Sequence, residues 1–537
     1  MSKLRIVLAQ LNLIVGDIQG NLIKLIEAAN HARDSLAADI IVFPELSITG
    51  YPPEDLLFRH AFIQAAEEAL LAFKSQVKDI YCVVGHPAAT NHGLFNACSL
   101  IYNGDVIGFY AKQHLPNYGV FDEVRYFIPG HSPCVVNIKD IPVALMICED
   151  LWFDQPIQQA AKLGARLVLS PNASPFEIEK HEQRQLTLAK RATLANLPIV
   201  YVNRIGGQDE FVFDGGSMVV DASGKVCQHA GFFNETLLAV DFEFNNQLTI
   251  ESRPFTIPSI EERAYQALVM GVRDYVHHTG FSGAVIGVSG GIDSALTLAI
   301  AVDALGKDNV SAVLLPSRYT ADMSNEDAIS LANNLGVKHE IISIEPVFNS
   351  LLQQLKIELT DKPDISEQNL QSRCRGVILM AISNRTDRLV LTTGNRSELA
   401  VGYTTLYGDM AGAYCVLKDV FKTFVYQLST YRNQINAVIP QNIIDRPPTA
   451  ELAPNQKDED SLPPYPVLDK ILYLYLNLQQ GIEDIVAQGF SRDIVTKVVT
   501  AIHHSEYKRR QSPLGVRLDH TAFGRDRRYP VASAFKG

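Results

Sequence analysis

The stretch Ile286-Gly287-Val288-Ser289-Gly290-Gly291-Ile292-Asp293-Ser294 decides how the second half of this chain folds. The apolar run 284–288 reads as a strand, and the periodic apolar residues of 293–305 read as a helix. A strand that feeds a glycine-rich turn and then opens a helix makes a phosphate cradle. Gly290 and Gly291 let the backbone approach an anion, and the first helical N–H groups point at it. Ser289 and Ser294 add hydroxyl donors, and Asp293 is placed to hold a metal on bound phosphates. No lysine precedes Ser294, so the spacing is not that of a P-loop. Two glycines alone would mark an ordinary strand–turn–helix junction. The full Ser-Gly-Gly-x-Asp-Ser pattern after a strand favours the nucleotide reading.

Outward from this loop the pattern alternates. Helical spacing covers 261–279. A strand at 310–315 ends in Pro316-Ser317-Arg318, and a helix follows at 325–335. Then come a strand at 339–344, helices at 346–355 and 365–382, and a strand at 389–393 that ends in Thr392-Thr393-Gly394-Asn395. Such alternation implies right-handed crossovers and a doubly wound parallel sheet, an α/β fold that binds ligands beyond the carboxyl ends of its strands. The Ser289 loop, Arg318 and Thr393 stand at such ends.

The first half mixes helices with hairpins and crossovers. Strands are expected at 4–11, 39–43, 81–85, 96–102, 106–111, 134–138, 143–147, 167–170, 199–203, 217–221 and 226–229, with helices at 21–36 and 180–195. This mixture suggests helices layered over two packed sheets. Glu45, Lys112 and Cys148 each close a strand, where catalytic side chains gather. Together they make chemical sense. A cysteine attacks a carbonyl, a glutamate takes its proton and later activates water, and an ammonium steadies developing negative charge. Singly, each has an ordinary reading: a small core thiol, a capping carboxylate, a solvated lysine. Between the halves, 243–260 contains Asn245-Asn246, Pro254 and Pro258 and reads as a linker. The expected domains are 1–242 and 261–537.

Composition sets outer limits. With 537 residues, 47% hydrophobic and 20% charged, this is a globular protein of two or three domains. A net charge of −12 argues against general nucleic-acid binding. Seven scattered cysteines without CxxC pairs suggest free thiols in a reducing, cytoplasmic setting. Met1-Ser2-Lys3-Leu4-Arg5 runs directly into a strand, with no leader expected. No apolar run approaches the roughly 20 residues of a membrane span. His503-His504 has no partner at zinc-ligand spacing.

Three motifs of the first half, Phe43-Pro44-Glu45-Leu46, Tyr110-Ala111-Lys112-Gln113-His114-Leu115 and Ile147-Cys148-Glu149-Asp150, resemble the nitrilase superfamily in its glutamine-amidase branch. The resemblance implies an αββα sandwich, catalytic roles for Glu45, Lys112 and Cys148, and glutamine binding by Tyr118, Ser174 and Lys180. It leaves open which of Glu123 and Glu149 assists; a like charge beside Cys148 would oppose thiolate formation, so Glu149 is expected to point away.

The Ser289 loop resembles the ATP pyrophosphatases. Thr393-Gly394-Asn395-Arg396-Ser397-Glu398, Gly402-Tyr403-Thr404-Thr405-Leu406-Tyr407-Gly408-Asp409, Arg446-Pro447-Pro448-Thr449-Ala450-Glu451-Leu452 and Asp458-Glu459-Asp460-Ser461-Leu462-Pro463-Pro464-Tyr465 narrow the resemblance to the NAD synthetases. Nearly the whole chain therefore resembles the glutamine-dependent NAD(+) synthetase family. The resemblance implies glutamine hydrolysis in the first half. It implies ATP-dependent amidation of deamido-NAD in the second, through an adenylate, with release of AMP and pyrophosphate. ATP would be held by Gly287, Val288, Ser289, Gly290, Gly291, Ile292, Asp293, Ser294 and Thr393, and Mg²⁺ by Asp293 and Glu398. Deamido-NAD would be contacted by Asn369, Glu398 and Lys508, with Lys418 a candidate for either substrate. Residues 458–464 would form a lid. A homodimer or higher homo-oligomer is implied. GMP and asparagine synthetases share the phosphate loop but use other amidase folds, and RNA thiolation would call for paired cysteines or a basic module.

Overall fold

The computed structural model describes residues 2–244, 248–357, 363–454 and 456–534. Its contacts divide the chain into two units, Met1–Pro258 and Ser259–Gly537. No helix among the described residues is long and apolar enough to cross a membrane.

In the first unit, residues of Ser2–Gln10 point alternately to opposite faces of a sheet, as the two-residue period of a strand requires. Leu4, Ile6 and Leu8 enter one core, and Val7 and Ala9 enter another. The seven-stranded sheet runs Leu248–Ile250, Thr236–Phe244, Ser2–Gln10, Ile40–Val42, Tyr81–Thr90, Gly93–Tyr102, Asp105–Ala111. The six-stranded sheet runs Val226–His229, Met218–Val220, Ile199–Asn203, Leu167–Asn172, Ile141–Leu145, Cys134–Ile138. Leu4, Ile6, Leu8, Val42, Leu100, Val143, Leu167 and Val200 share the core between the sheets. Helices Ile18–Asp34 and His60–Gln76 cover the outer face of the first sheet through Leu25, Ala29 and Phe73. Helices Asp154–Lys162 and Lys180–Ala195 cover the second through Ile157, Leu188 and Ala192. The result is the αββα sandwich.

Several elements differ from the sequence reading. The strand before Cys148 is Ile141–Leu145, and Cys148 opens a 3₁₀ turn, Cys148–Trp152, at φ +42°. Lys112 follows Asp105–Ala111 directly, and Glu45 lies beyond Ile40–Val42. Helices His60–Gln76 and Asp154–Lys162 and the hairpin of Ile205–Gln208 with Phe211–Asp214 had no sequence expectation. Leu248–Ile250 pairs with Thr236–Phe244, so strand continues into 243–260; Asn245 and Asn246 lie outside the described residues.

In the second unit five parallel strands stand in the order Lys338–Ile341, Val310–Leu314, Ala284–Gly287, Leu389–Thr392, Tyr414–Cys415. The direction of winding reverses between Ala284–Gly287 and Leu389–Thr392. Such a switch point opens a crevice at the carboxyl ends of the two strands, where the Ser289 loop and Thr393 stand. Helix Ile292–Leu305 is apolar on every side, as Leu296, Leu298 and Ile300 show, and is buried against helices Ile260–His278 and Lys422–Ile435. A separate helical core forms from Leu468, Leu472, Val495 and Val499 around Leu399.

Candidate active sites

In the first unit Glu45, Lys112 and Cys148 meet with Glu123. Lys112 Nζ is 2.7 Å from Glu45 Oε1 and 2.8 Å from Glu123 Oε1, and all three side chains are buried. Asn96 donates to Glu45 Oε1 at 2.7 Å, and the Ala173 N–H donates to Glu45 Oε2 at 3.0 Å. The Tyr51 hydroxyl donates to Glu123 at 2.8 Å. Burial alone would depress the Lys112 ammonium, but Glu123 and Glu45 hold it well above the ordinary lysine range. Burial pushes the Cys148 thiol well up; Glu45 and Glu149 add to this, and Lys112 opposes it. The raised thiol and the neighbouring Glu45 carboxylate are thus placed together. The positive φ of Cys148 is a conformation that only a surrounding network maintains in a non-glycine residue.

Asp150 supplies much of that network. Its carboxylate accepts from the N–H groups of Gln113 at 3.1 Å, His114 at 2.9 Å and Ile147 at 3.2 Å, and from the Tyr110 hydroxyl at 2.8 Å. It thereby ties the turn of Cys148 to the strand end of Lys112. Burial raises Asp150 to about 7 against those hydrogen bonds.

Around the thiol, Tyr118 donates to Glu149 at 3.0 Å, so Glu149 does not point away from the site. Lys180 acts on Glu149 and lies over the Trp152 ring at 4.7 Å. Ser174 is buried: its Oγ accepts from Arg184 Nε at 3.0 Å, and its N–H donates to Asn203 Oδ1 at 2.8 Å. Glu123, left open against Glu149 by the sequence, is the carboxylate that pairs with Lys112.

In the second unit the Ser289 loop is closed by its own hydroxyls. The Ser289 N–H donates to Ser294 Oγ at 3.2 Å, and Ser294 Oγ donates to the Gly291 carbonyl at 2.9 Å. Gly290 has φ +78°, and a Cβ there would lie 2.3 Å from the Ser324 carbonyl oxygen, so only glycine fits. Arg446 reaches the Gly290 carbonyl at 2.6 Å and Ser324 Oγ at 2.8 Å, which docks the Arg446–Leu452 motif on the loop. A cavity of about 270 Å³ opens here. Its lining includes Ser289, Asp293, Thr393, Glu398, Arg446 and Asp458.

Asp293 and Glu398 converge on one cation, the buried ammonium of Lys422. It is ion-paired to Asp293 and stands 3.5 Å from Glu398 Oε1. Asn395 donates to Asp293 Oδ1 at 2.9 Å and caps the helix Arg396–Val401 that carries Glu398. Burial and then Asp293 raise Glu398 to about 8, while the two carboxylates outweigh burial and raise Lys422 above its ordinary value. Among the described residues no group of three or more His, Cys, Asp or Glu is arranged for a metal. Two carboxylates facing one cation at a phosphate loop do fit a hard ion that takes its other ligands from phosphate and water. Lys422 escaped the sequence reading, because a lysine opening an ordinary helix carries no local signal.

Of the residues assigned by resemblance to deamido-NAD, Glu398 lines this cavity, while Asn369, Lys418 and Lys508 do not. Asn369 Oδ1 accepts from Thr405 Oγ1 at 2.9 Å. Lys508 donates to the carbonyls of Gly402 and Thr404, each at 2.7 Å, and Lys418 to that of Pro513 at 2.6 Å. Lys418 lies in a buried turn. Asp458 is buried and accepts from the Tyr465 hydroxyl at 2.9 Å.

Comparison with known proteins bears on both units. The family model described as carbon-nitrogen hydrolase matches residues 5–246, and that described as NAD synthase matches residues 264–512. The glutamine-dependent NAD(+) synthetase of Xanthomonas campestris pv. campestris is 48% identical over 99% of this chain and 98% of its own length. That of Thermotoga maritima is 44% identical over 100% of both. The structure of glutamine-dependent NAD+ synthetase from Acinetobacter baumannii in complex with ADP aligns with a TM-score of 0.80 at 43% identity, covering 99% of this chain and 98% of that one.

Proposed function

We infer the division of labour between residues from one premise: the chain belongs to the glutamine-dependent NAD(+) synthetases. It is a ligase that amidates deamido-NAD to NAD with ATP and glutamine. The observation that carries this reading to the residues is the presence, in one chain, of a half-buried Cys148 beside the buried Glu45–Lys112 pair and of a Ser289–Ser294 phosphate loop.

In the first unit Cys148 attacks the side-chain amide of glutamine as Glu45 takes the thiol proton. The C–N bond breaks, the leaving nitrogen is protonated, and ammonia departs from a γ-glutamyl thioester. Glu45 then activates water, which releases glutamate and restores the thiol. Lys112 offsets the negative charge that forms, and Glu123 holds Lys112 in place. The rim carries both signs of charge. Lys180 suits the α-carboxylate and Glu149 the α-ammonium of the amino acid, with Tyr118 and Ser174 as hydrogen-bonding partners.

In the second unit a nicotinate carboxylate oxygen attacks the α-phosphorus of ATP and pyrophosphate leaves. Ammonia then attacks the acyl carbon and AMP leaves. The backbone of Gly287, Val288, Ser289, Gly290, Gly291 and Ile292, the side chains of Asp293 and Ser294, and Thr393 hold the nucleotide. Asp293 and Glu398 would hold Mg²⁺, which neutralises phosphate charge when bound. Lys422 brings a second positive charge to the phosphates. Asn369, Glu398, Lys418 and Lys508 serve deamido-NAD, Lys418 and Lys508 by fixing the backbone around it. Asp458 closes one side of the cavity. All seven cysteines are free thiols, which supports a cytoplasmic enzyme. A homodimer or higher homo-oligomer is the assembly expected from membership of this family.

Pyrophosphate release tests the acceptor. With ATP, Mg²⁺ and ammonium, deamido-NAD should trigger release while xanthosine monophosphate and aspartate do not. Equal release with any of the three would refute the assignment.

A further inference from the structure

Residues 513–523 follow the last residue matched by the NAD synthase family model, yet they are built into the synthetase site. Ser512 and Pro513 line the cavity itself. Leu514 accepts from the Cys415 N–H at 2.6 Å, and Cys415 donates in turn to the Gly394 carbonyl at 3.1 Å, inside the Thr393–Glu398 motif. Gly515 lies so close to this strand that a Cβ would stand 2.1 Å from the Cys415 carbonyl oxygen. Val516 and Leu518 are fully buried.

The segment then closes on Arg396, whose side chain is 1% exposed. Asp419 accepts from the N–H groups of Leu518 at 2.7 Å and Asp519 at 2.8 Å, and pairs with Arg396 at 3.0 Å. Arg396 also meets Asp519 at 3.4 Å, Thr521 Oγ1 at 2.9 Å, the Thr521 carbonyl at 3.2 Å and Asn477 Oδ1 at 3.0 Å. Its guanidinium lies over the rings of Phe421 at 4.5 Å and Phe523 at 5.8 Å. Arg396 is the first residue of a six-residue helix. Asn395 caps that helix and holds Asp293, and Glu398 lies within it. A short helix has little rigidity of its own, so its place is set by what grips its side chains.

We propose that residues 513–523 form a strut of the synthetase site, in which Asp519 and Thr521 act through Arg396 as positioning residues for Asn395 and Glu398. Neither lines the cavity. The inference rests on the reading of Asp293 and Glu398 as the carboxylates that serve ATP and its metal. A fixed fork is required here, because a lysine could not grip Asp419, Asp519 and Thr521 together and stack between two rings.

The test uses the full-length enzyme with saturating ammonium, so that no step depends on Cys148. Asp519→Asn should lower kcat for NAD formation by about tenfold and Thr521→Val by about threefold, as small misplacements of catalytic groups do. The Mg²⁺ concentration for half-maximal rate should rise in both, while the KM for ATP moves less than the kcat. Thermal melting is followed in parallel. A kcat and Mg²⁺ midpoint at wild-type values in both variants, whether or not melting temperature falls, would overturn the inference, since a merely structural segment changes only stability. Asp293→Ala runs alongside. If it turns over normally, the reading of the carboxylates fails. If it is inactive while both segment variants turn over normally, the strut alone fails.

Discussion

In the first unit Lys112 stands between Glu45 and Glu123 at 2.7 and 2.8 Å, and in the second Lys422 stands between Asp293 and Glu398. The chemistry of the two triads is the same, one ammonium and two carboxylates, but their surroundings differ. The Glu45 and Glu123 side chains are 0% and 6% exposed, and their oxygens are occupied by Asn96, Ala173 and Tyr51 besides the lysine. The Asp293 and Glu398 side chains are 16% and 18% exposed and line a cavity. A saturated, dry triad is a fixed instrument: its charges are in place before substrate arrives and act at full strength on a reacting thiol. An open triad can rearrange, which is what the proposed binding of a metal by its carboxylates and of phosphates by its ammonium requires. On the proposed assignments, exposure and unfilled hydrogen-bonding capacity, more than residue type, separate a catalytic centre from a ligand site.

Substituting the two lysines sharpens this contrast. Lys112→Met should reduce glutamine use by about 10³-fold or more, because it removes the charge that meets the developing oxyanion. It should also cost about 3–5 kcal/mol of stability, by leaving two buried carboxylates without a counter-ion. Lys422→Met should slow pyrophosphate release by about 10²-fold with a clearly smaller loss of stability, since solvent relieves its partners. Thermal melts and single-substrate assays on both variants check this. Equal destabilisation by the two changes would break the distinction.

A smaller effect concerns pH. Asp150 faces the N–H groups of Gln113, His114 and Ile147, the Tyr110 hydroxyl and the nearby Lys112 ammonium. Four donors match the four acceptor positions of an ionised carboxylate, and a proton taken up there would displace one of them. Burial raises Asp150 to about 7. The ionised, fully bonded form therefore prevails above that pH and is lost below it. The kcat/KM for glutamine should rise on the order of tenfold from pH 6 to 8. A flat profile over that range would remove Asp150 from the account.

The parts of this molecule that could be read from sequence are those whose chemistry is local. The Ser289–Ser294 loop carries its cradle in consecutive residues, and the helix Lys180–Ala195 keeps its period without interruption. Helix His60–Gln76 was not legible, because only Ala66, Ala69 and Phe73 are buried while Leu71 faces solvent. Alanines at a helix interface give little periodic signal. Glu123 was visible as a candidate, but its choice over Glu149 depends on Tyr51 and Lys112, which are distant in sequence. Lys422, Asp150 and Arg396 gain their roles only through long-range partners: Asp293, the turn after Lys112, and residues 519–521. No local pattern announces them.

The account rests on a thiol centre that releases nitrogen and a separate phosphate-loop centre that fixes it. Amide-¹⁵N glutamine, given with ATP, Mg²⁺ and deamido-NAD to the wild type and to Cys148→Ala, tests this most directly by mass analysis of the dinucleotide. The wild type should place ¹⁵N in the nicotinamide amide. Cys148→Ala should make no labelled product, yet form unlabelled NAD at the wild-type rate when ordinary ammonium is added. Labelled NAD from Cys148→Ala, or a folded Cys148→Ala enzyme that fails with ammonium, would contradict the account.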